Sequence, residues 1–452
     1  MNMRHCALRE RLEMDPDKTP GHSSLVVGVV AYGFAMGGME RIVVTLVGVL
    51  QKAGARVVLL TACPPEEDFF KVPDCIPRIC VGKPSGGEKT RLRLSLMKEA
   101  LQAHKPDILI FHSYFSPALL DEIVLAQSMG IKTIVHCHSV GSNLFARKAL
   151  HIDPKRQFKA FRQADALIAM SRADALYFRC LGIRARYIPN PVRDVPSGFR
   201  RKPNPGHSIA WIGRFEPYVK RPLDAIRIFA LIRESIPDAT LSMIGDGPAM
   251  PDVDKFIKAN PSVAGAVRMP GKLQEVWGEL GNADLLLLTS LMEGFPGVVA
   301  EAYAAGVPVV GYRLDTVELC NVQGAFHAVD QGDVESATAA AIRLLKDPAA
   351  LRAASTAART AFGKFAAVDL TEAYGRLLED VLGGRDSQPP EEDPALYKSA
   401  ISSFFDLACE GRALYVDAAR QLAECRSGKT SRLWAFARRA KRFFLGKGKE
   451  TP

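Results

Sequence analysis

The sequence has no C-x-x-C pair. Its nine cysteines lie scattered from Cys6 to Cys425, an odd number at irregular spacing. That excludes a disulfide framework and suits a reducing compartment in which thiols act as small apolar fillers. There is no apolar run near the roughly 18 residues needed to span a bilayer; stretches such as 25–30 and 285–288 have strand length. Residues 1–22 mix charge with proline and lack an apolar h-region, so no secretory signal is expected there. Acidic residues are missing from Arg426 to Lys449, which carries nine Lys or Arg. That tail holds nearly all of the +10 net charge, leaving the body close to neutral. A nucleic-acid enzyme would carry its charge along a groove in the body, so no nucleic-acid partner is expected. The location these absences point to is cytoplasmic.

What is present is ordinary globular composition, 48% hydrophobic and 24% charged over 452 residues, a length that suits two domains plus an appendage. Apolar strand-length runs at 25–31, 56–61, 108–111, 132–136 and 166–170 alternate with helical periodicity at 39–53, 91–104 and 117–129. After a break at 190–206, rich in Pro, Arg and Gly, strands are expected at 208–212, 239–244, 266–269, 285–289 and 307–311. Helices are expected there at 221–235, 250–259 and 297–305. Such alternation gives parallel sheets covered on both faces. The expected fold class is α/β, two Rossmann-like domains facing a central cleft, with a helical C-terminal extension. The segments are a flexible 1–22, an N-terminal domain 23–195, a C-terminal domain 205–384 and a basic helical extension 395–452. A helix near 370–382 should cross back to the first domain.

Ligands of open α/β sheets bind at the carboxyl ends of strands. After the run 285–289 comes Ser290-Leu-Met-Glu293-Gly294-Phe295-Pro296-Gly297-Val298-Val-Ala-Glu301. Glu293 and Glu301 both fall near the positive end of a helix, and carboxylates accept paired sugar hydroxyls well. Gly294 and Gly297 allow the backbone close to a diphosphate. After 208–212 come Gly213-Arg214 and, six residues on, Lys220, a fork and a point charge suited to a diphosphate. Gly245-Asp246-Gly247-Pro248 and Pro270-Gly271-Lys272-Leu273 follow the next strands. Read singly, these are a solvated helix start, surface charge and plain turns; together they mark one edge of the second domain.

This set resembles the retaining glycosyltransferases of the GT-B fold, family 4, over about residues 24–380. Further matches are Gly37-Gly38-Met-Glu40-Arg41, Ala164-Asp165, Ser171, Pro189-Asn190, Ala283-Asp284 and Gly306-Val-Pro-Val. The resemblance implies transfer of a sugar from a nucleotide-sugar donor to a glycan or lipid-linked acceptor. Arg214 and Lys220 would neutralise the leaving diphosphate, Glu301 would hold the ribose and Glu293 the donor sugar. The amides of Phe295, Pro296's successor Gly297 and Val298 would touch the diphosphate or sugar, and Lys272-Leu273 the base. Gly213 would sit under the phosphates, Gly37 and Gly38 would approach them from the opposite domain, and His138 would lie near the sugar. The chain departs from the pattern with Arg221 where a glycine is common, Pro191 after Asn190, and no glycine pair before Glu318. Two other readings stay open: a sugar-nucleotide epimerase or hydrolase of the same architecture, and a catalytically silent nucleotide-sugar-binding partner subunit.

No metal or other cofactor is expected. Asp252-Val-Asp254 has the D-x-D form but falls in the first turn of a helix, where acids suit the dipole. His136-Cys137-His138 is read as unable to share a metal, on the premise that these strand-end neighbours point opposite ways. In the tail, 431–445, Leu433, Phe436, Ala437, Ala440, Phe443 and Phe444 form one helical stripe flanked by basic residues. That is the composition of a helix lying on an anionic membrane surface, with packing onto the body as the bland alternative.

Overall fold

The computed structural model describes residues 25–35, 37–83, 88–139, 154–201 and 207–385. The extension 395–452 and the segment 1–22 lie outside the described residues.

The first half builds a seven-stranded parallel sheet: β1 (Val26–Ala31), β2 (Arg56–Thr61), β3 (Arg78–Cys80), β4 (Ile108–Phe111), β5 (Lys132–His136), β6 (Ala166–Ala169) and β7 (Ala185–Tyr187). Their order is β3-β2-β1-β4-β5-β6-β7. The helices between them are α1 (Gly38–Lys52), α2 (Glu88–His104), α3 (Leu119–Ser128), α4 (Pro154–Gln163) and α5 (Arg172–Cys180). All six residues of β1 are buried, as a strand covered by helices on both faces requires. Helix α1 turns Val43, Leu46, Val47 and Leu50 inward, the spacing of one helical stripe.

The second half repeats the plan with six parallel strands: β8 (Ser208–Ile212), β9 (Thr240–Ile244), β10 (Val267–Gly271), β11 (Leu285–Leu288), β12 (Val309–Tyr312) and β13 (Phe326–Val329). The order is β10-β9-β8-β11-β12-β13. Its helices are α6 (Pro222–Ser235), α7 (Met250–Ala259), α8 (Trp277–Asn282), α9 (Gly297–Ala305), α10 (Val334–Lys346) and α11 (Pro348–Ala366). This is the doubly wound order, whose strand sequence reverses between β8 and β11; the crevice at such a switch point is where ligands bind. Both sheets are Rossmann-like, so the expected fold class holds.

The last described helix, α12 (Leu370–Leu382), leaves the second domain and packs on the first. Tyr374, Leu377, Leu378 and Val381 are buried in one cluster with Val27, Val29, Leu46 and Leu50. The helix starts where Asp369 accepts from the Glu372 amide at 2.9 Å, and Arg186 reaches Asp380 at 2.7 Å. Phe295 packs against both domains' clusters.

Three strands were not anticipated: β3, β7 and β13. Each is the outermost strand of its sheet, three or four residues long and only partly apolar (RIC, ARY, FHAV). An edge strand is defined by pairing with its neighbour more than by its own burial, so its signal in the sequence is faint.

Candidate active site

Of the second domain's candidate residues, Arg214 and Lys220 follow β8 and Glu293 follows β11, the two strands that meet at the switch point, whereas Lys272 and Leu273 follow the edge strand β10. The loop after β8 is organised by Glu216, whose carboxylate accepts from the amides of Tyr218, at 3.1 Å, and Val219. The loop after β11 is tied to it: the Leu291 amide donates to the Val219 carbonyl at 2.7 Å. Beneath both, the Thr289 hydroxyl accepts from Trp211 Nε1 at 3.0 Å and donates to the Lys220 carbonyl at 2.8 Å. Glu216 and Thr289 carry no signal in the sequence, because their work is to hold the loops after β8 and β11 in place.

On this frame Lys220 Nζ donates to Glu293 Oε1, which also accepts from Ser290 Oγ at 2.7 Å. Arg214 is exposed at the end of β8. Gly245-Asp246-Gly247 is more than a turn. A Cβ on Gly245 would sit 2.0 Å from the Gly213 carbonyl oxygen, and φ there is +130°; Asp246 then accepts from the Phe215 amide at 2.8 Å. Lys272 pairs with Asp246 at 3.1 Å. Helix α9 begins at Gly297, with Pro296 as N-cap, so the amides of Gly297 and Val298 open its positive end beside Glu293. Leu273 lies half-buried beyond β10.

Arg221 explains one departure from the family pattern. It holds φ +48° as the N-cap of α6, a left-handed conformation costly for a residue with a Cβ. Its guanidinium donates to Gln331 Oε1 at 3.1 Å and lies 5.8 Å from the Tyr312 ring centre. Gln331 in turn donates to the Arg313 carbonyl at 3.0 Å. The arginine keeps a glycine's conformation because its side chain is anchored.

Glu301 lies on α9, with Arg193 at 3.4 Å and Arg41 at 3.8 Å. Burial pushes its carboxyl up to about 7, against the pull of Arg193 and with help from Glu275. Glu318 is handled similarly. It accepts from the Arg172 amide at the start of α5 at 2.7 Å, and burial raises it to about 7.

From the first domain, Gly37 caps α1 and Gly38 opens it. A Cβ on Gly38 would meet nothing within 4 Å, whereas one on Gly37 would sit 2.1 Å from the Glu40 carboxylate. His138 comes against Gly294 through its backbone: a Cβ on Gly294 would lie 2.7 Å from the His138 carbonyl oxygen. Its ring stacks with those of His112 and His136 and lies 6.1 Å from the Tyr114 ring centre. His138 Nε2 and His112 Nδ1 are 2.8 Å apart, and the His136 and His138 rings stack with centres 4.0 Å apart.

That stacking corrects the premise that His136 and His138 point opposite ways. Positions i and i+2 at a strand end share a face, and His112, the residue just after β4, joins them. Burial drives His112 down to about 3 and holds His136 and His138 well below the usual range, so the trio is neutral. Each offers one ring nitrogen within 4.8 Å of the others, the one such group among the described residues. Two of the nitrogens face each other in a hydrogen bond, His136 Nδ1 lies 3.5 Å from the Tyr374 hydroxyl, and, among the described residues, His136 Nε2 and His138 Nδ1 are buried without a hydrogen-bond partner. Asp252 and Asp254 lie on α7, with Asp252 in its first turn.

Comparison with known proteins agrees with this geometry. The family model described as Glycosyltransferase Family 4 matches residues 36–194, and that described as Glycosyl transferases group 1 matches 206–347. An exopolysaccharide phosphotransferase of Streptomyces coelicolor is 33% identical over 207 residues, 45% of this chain and 21% of that protein. An N-acetyl-alpha-D-glucosaminyl L-malate synthase of Bacillus anthracis is 32% identical over 166 residues, 36% of this chain and 43% of that protein. The chain thus spans less than half the length of either. Anabaena HepE, solved in complex with UDP-glucose, superposes with a TM-score of 0.64 at 16% identity, covering 79% of this chain and 100% of that one. Matched by these two models across 36–194 and 206–347, well over half of its length in all, and folded as two facing Rossmann-like halves, the chain is a glycosyltransferase of the GT-B type.

Proposed function

We propose that the chain transfers a hexose or related sugar from a nucleotide-sugar donor to a glycan or lipid-linked acceptor in the cleft, with retention of configuration and without a metal. The observation that carries this reading is the Lys220–Glu293 pair. A cation and a carboxylate meet at the switch point of the second sheet, beside the start of α9 and with Arg214 at the same strand end. The structural neighbour solved with UDP-glucose supports a nucleotide-sugar donor, and the relative named as a glucosaminyl malate synthase supports glycosyl transfer.

In this reading Arg214, Lys220 and the first amides of α9 face the diphosphate, and Glu301 accepts from the ribose. Glu293, held by Lys220 and Ser290, accepts from the donor sugar's hydroxyls. Lys272 and Leu273 border the base. The bond from the sugar's anomeric carbon to the phosphate oxygen breaks as the acceptor oxygen attacks from the same face. The acceptor's proton passes to the departing phosphate oxygen, and Arg214 and Lys220 stabilise the separating charge. Product stereochemistry tests the finer claim. NMR of the product should show the donor's anomeric configuration, and an inverted product would contradict retention. A thermal-shift screen of nucleotide sugars identifies the donor, because a ligand that binds only the folded state raises stability.

A further inference from the structure

Helix α1 sends one side chain across the cleft. Arg41, in its first turn, donates through Nη2 to the Gln274 carbonyl. The same guanidinium lies 3.6 Å from the Glu275 carboxylate and 3.8 Å from that of Glu301. It is held over the Phe70 ring at 4.8 Å from the ring centre, the stacked placement a planar guanidinium favours. From the linker, Arg193 converges on the same two glutamates and lies 5.2 Å from the Trp277 ring centre. Two cations from outside the second domain therefore rest on two carboxylates inside it, around the segment just past Lys272-Leu273.

We infer that Arg41 is a donor-positioning residue, through which the first domain helps to bind the nucleoside diphosphate. This rests on the donor reading above. Glu301 is the carboxylate assigned to the ribose, and residues 274–275 continue the segment assigned to the base. A guanidinium bound to both fixes the two sides of the nucleoside pocket relative to each other. It does so only while the domains are together, because Arg41 belongs to α1 and its partners to the second domain. Nucleotide binding and cleft closure are thereby linked: each favours the geometry the other needs. Glu301 has acceptor capacity for more than one donor, so ribose hydroxyls and Arg41 can share it. Arg41 touches no reacting atom in this account; it acts through Glu301 and the 274–275 segment.

Calorimetric titration of the full chain with UDP, GDP and ADP tests this, using whichever the wild type binds, in a cycle of Arg41→Ala, Glu301→Gln and the double variant. Arg41→Ala is expected to weaken binding about tenfold, with Arg41→Lys recovering part of the loss because it keeps the charge but not the fork. In the Glu301→Gln background the loss should shrink by about threefold or more, the signature of residues acting as a unit. The thermal midpoint without ligand serves as the folding control; if Arg41→Ala fails to fold, Arg41→Lys and Arg41→Gln take its place in the cycle. Unchanged or tighter binding in the Arg41 variants, or losses that simply multiply, would overturn the inference while leaving the donor reading intact. Failure of the wild type to bind any of the three nucleotides would overturn both.

Discussion

Lys220 and Glu293, 73 positions apart in the chain, are joined through Nζ and Oε1 at the point where the strand order of the second sheet reverses. A carboxylate and an ammonium at that place hold each other in position before any ligand arrives. Glu293 is additionally fixed by Ser290.

The first prediction concerns the cations. Lys220→Ala and Arg214→Ala should each lower turnover on the order of a hundredfold, the usual result of losing a charge-stabilising group at a reacting centre. Neither residue belongs to a buried cluster, so circular dichroism should stay native. Near-normal steady-state rates in both would remove the diphosphate assignment.

The glutamates should separate kinetically. Glu301→Ala should mainly weaken nucleotide binding, since ribose contacts are similar in ground and transition states. Glu293→Ala should mainly lower kcat, because it holds the sugar whose charge changes. The reverse pattern in KM and kcat would mean that the two roles are exchanged.

Glu318 gives a prediction in pH. Its folded-state pKa of about 7 lies above the ordinary 4.5, chiefly because it is buried. A raised carboxyl binds its proton more tightly when folded, so its contribution is most favourable below about 4.5 and is lost as pH climbs to 7. Glu318→Gln, which keeps an acceptor for the Arg172 amide, should therefore be more stable than wild type at pH 8, by about 1–3 kcal/mol. The gain should fade toward pH 4.5. Urea melts across that range check it, and a difference independent of pH would contradict the assignment.

Truncation tests the basic tail, which lies outside the described residues. Removing residues 427–452 should abolish sedimentation with anionic vesicles while turnover of a soluble acceptor analogue persists. Added salt should weaken the wild-type interaction, since each Lys or Arg near such a surface contributes about 1 kcal/mol of screened attraction. Vesicle binding by the truncated chain would count against a membrane helix.

The central strands were legible because they are buried on both sides: β1 and β11 read as unbroken apolar runs (VVGVVA, LLLL). The glycines at 213, 245 and 294 were legible as strand-end signals. What they do was not, because Gly245 meets the Gly213 carbonyl at the end of the neighbouring strand β8 and Gly294 meets the other domain. The histidine stack was misread for a different reason. Positions 136 and 138 are i and i+2 and share a face, and nothing in the local sequence announces that His112, just after β4, joins them. Arg41 stands out in the sequence only as a family match, since its partners in the second domain lie more than 230 positions away.

The most direct test of the account is nucleotide release from a panel of UDP-, GDP- and ADP-sugars, measured with and without a lipid-linked or oligosaccharide acceptor. The account predicts release that depends on acceptor, with the sugar recovered on it. Release at the same rate without acceptor, or no release from any donor in either condition, would contradict it.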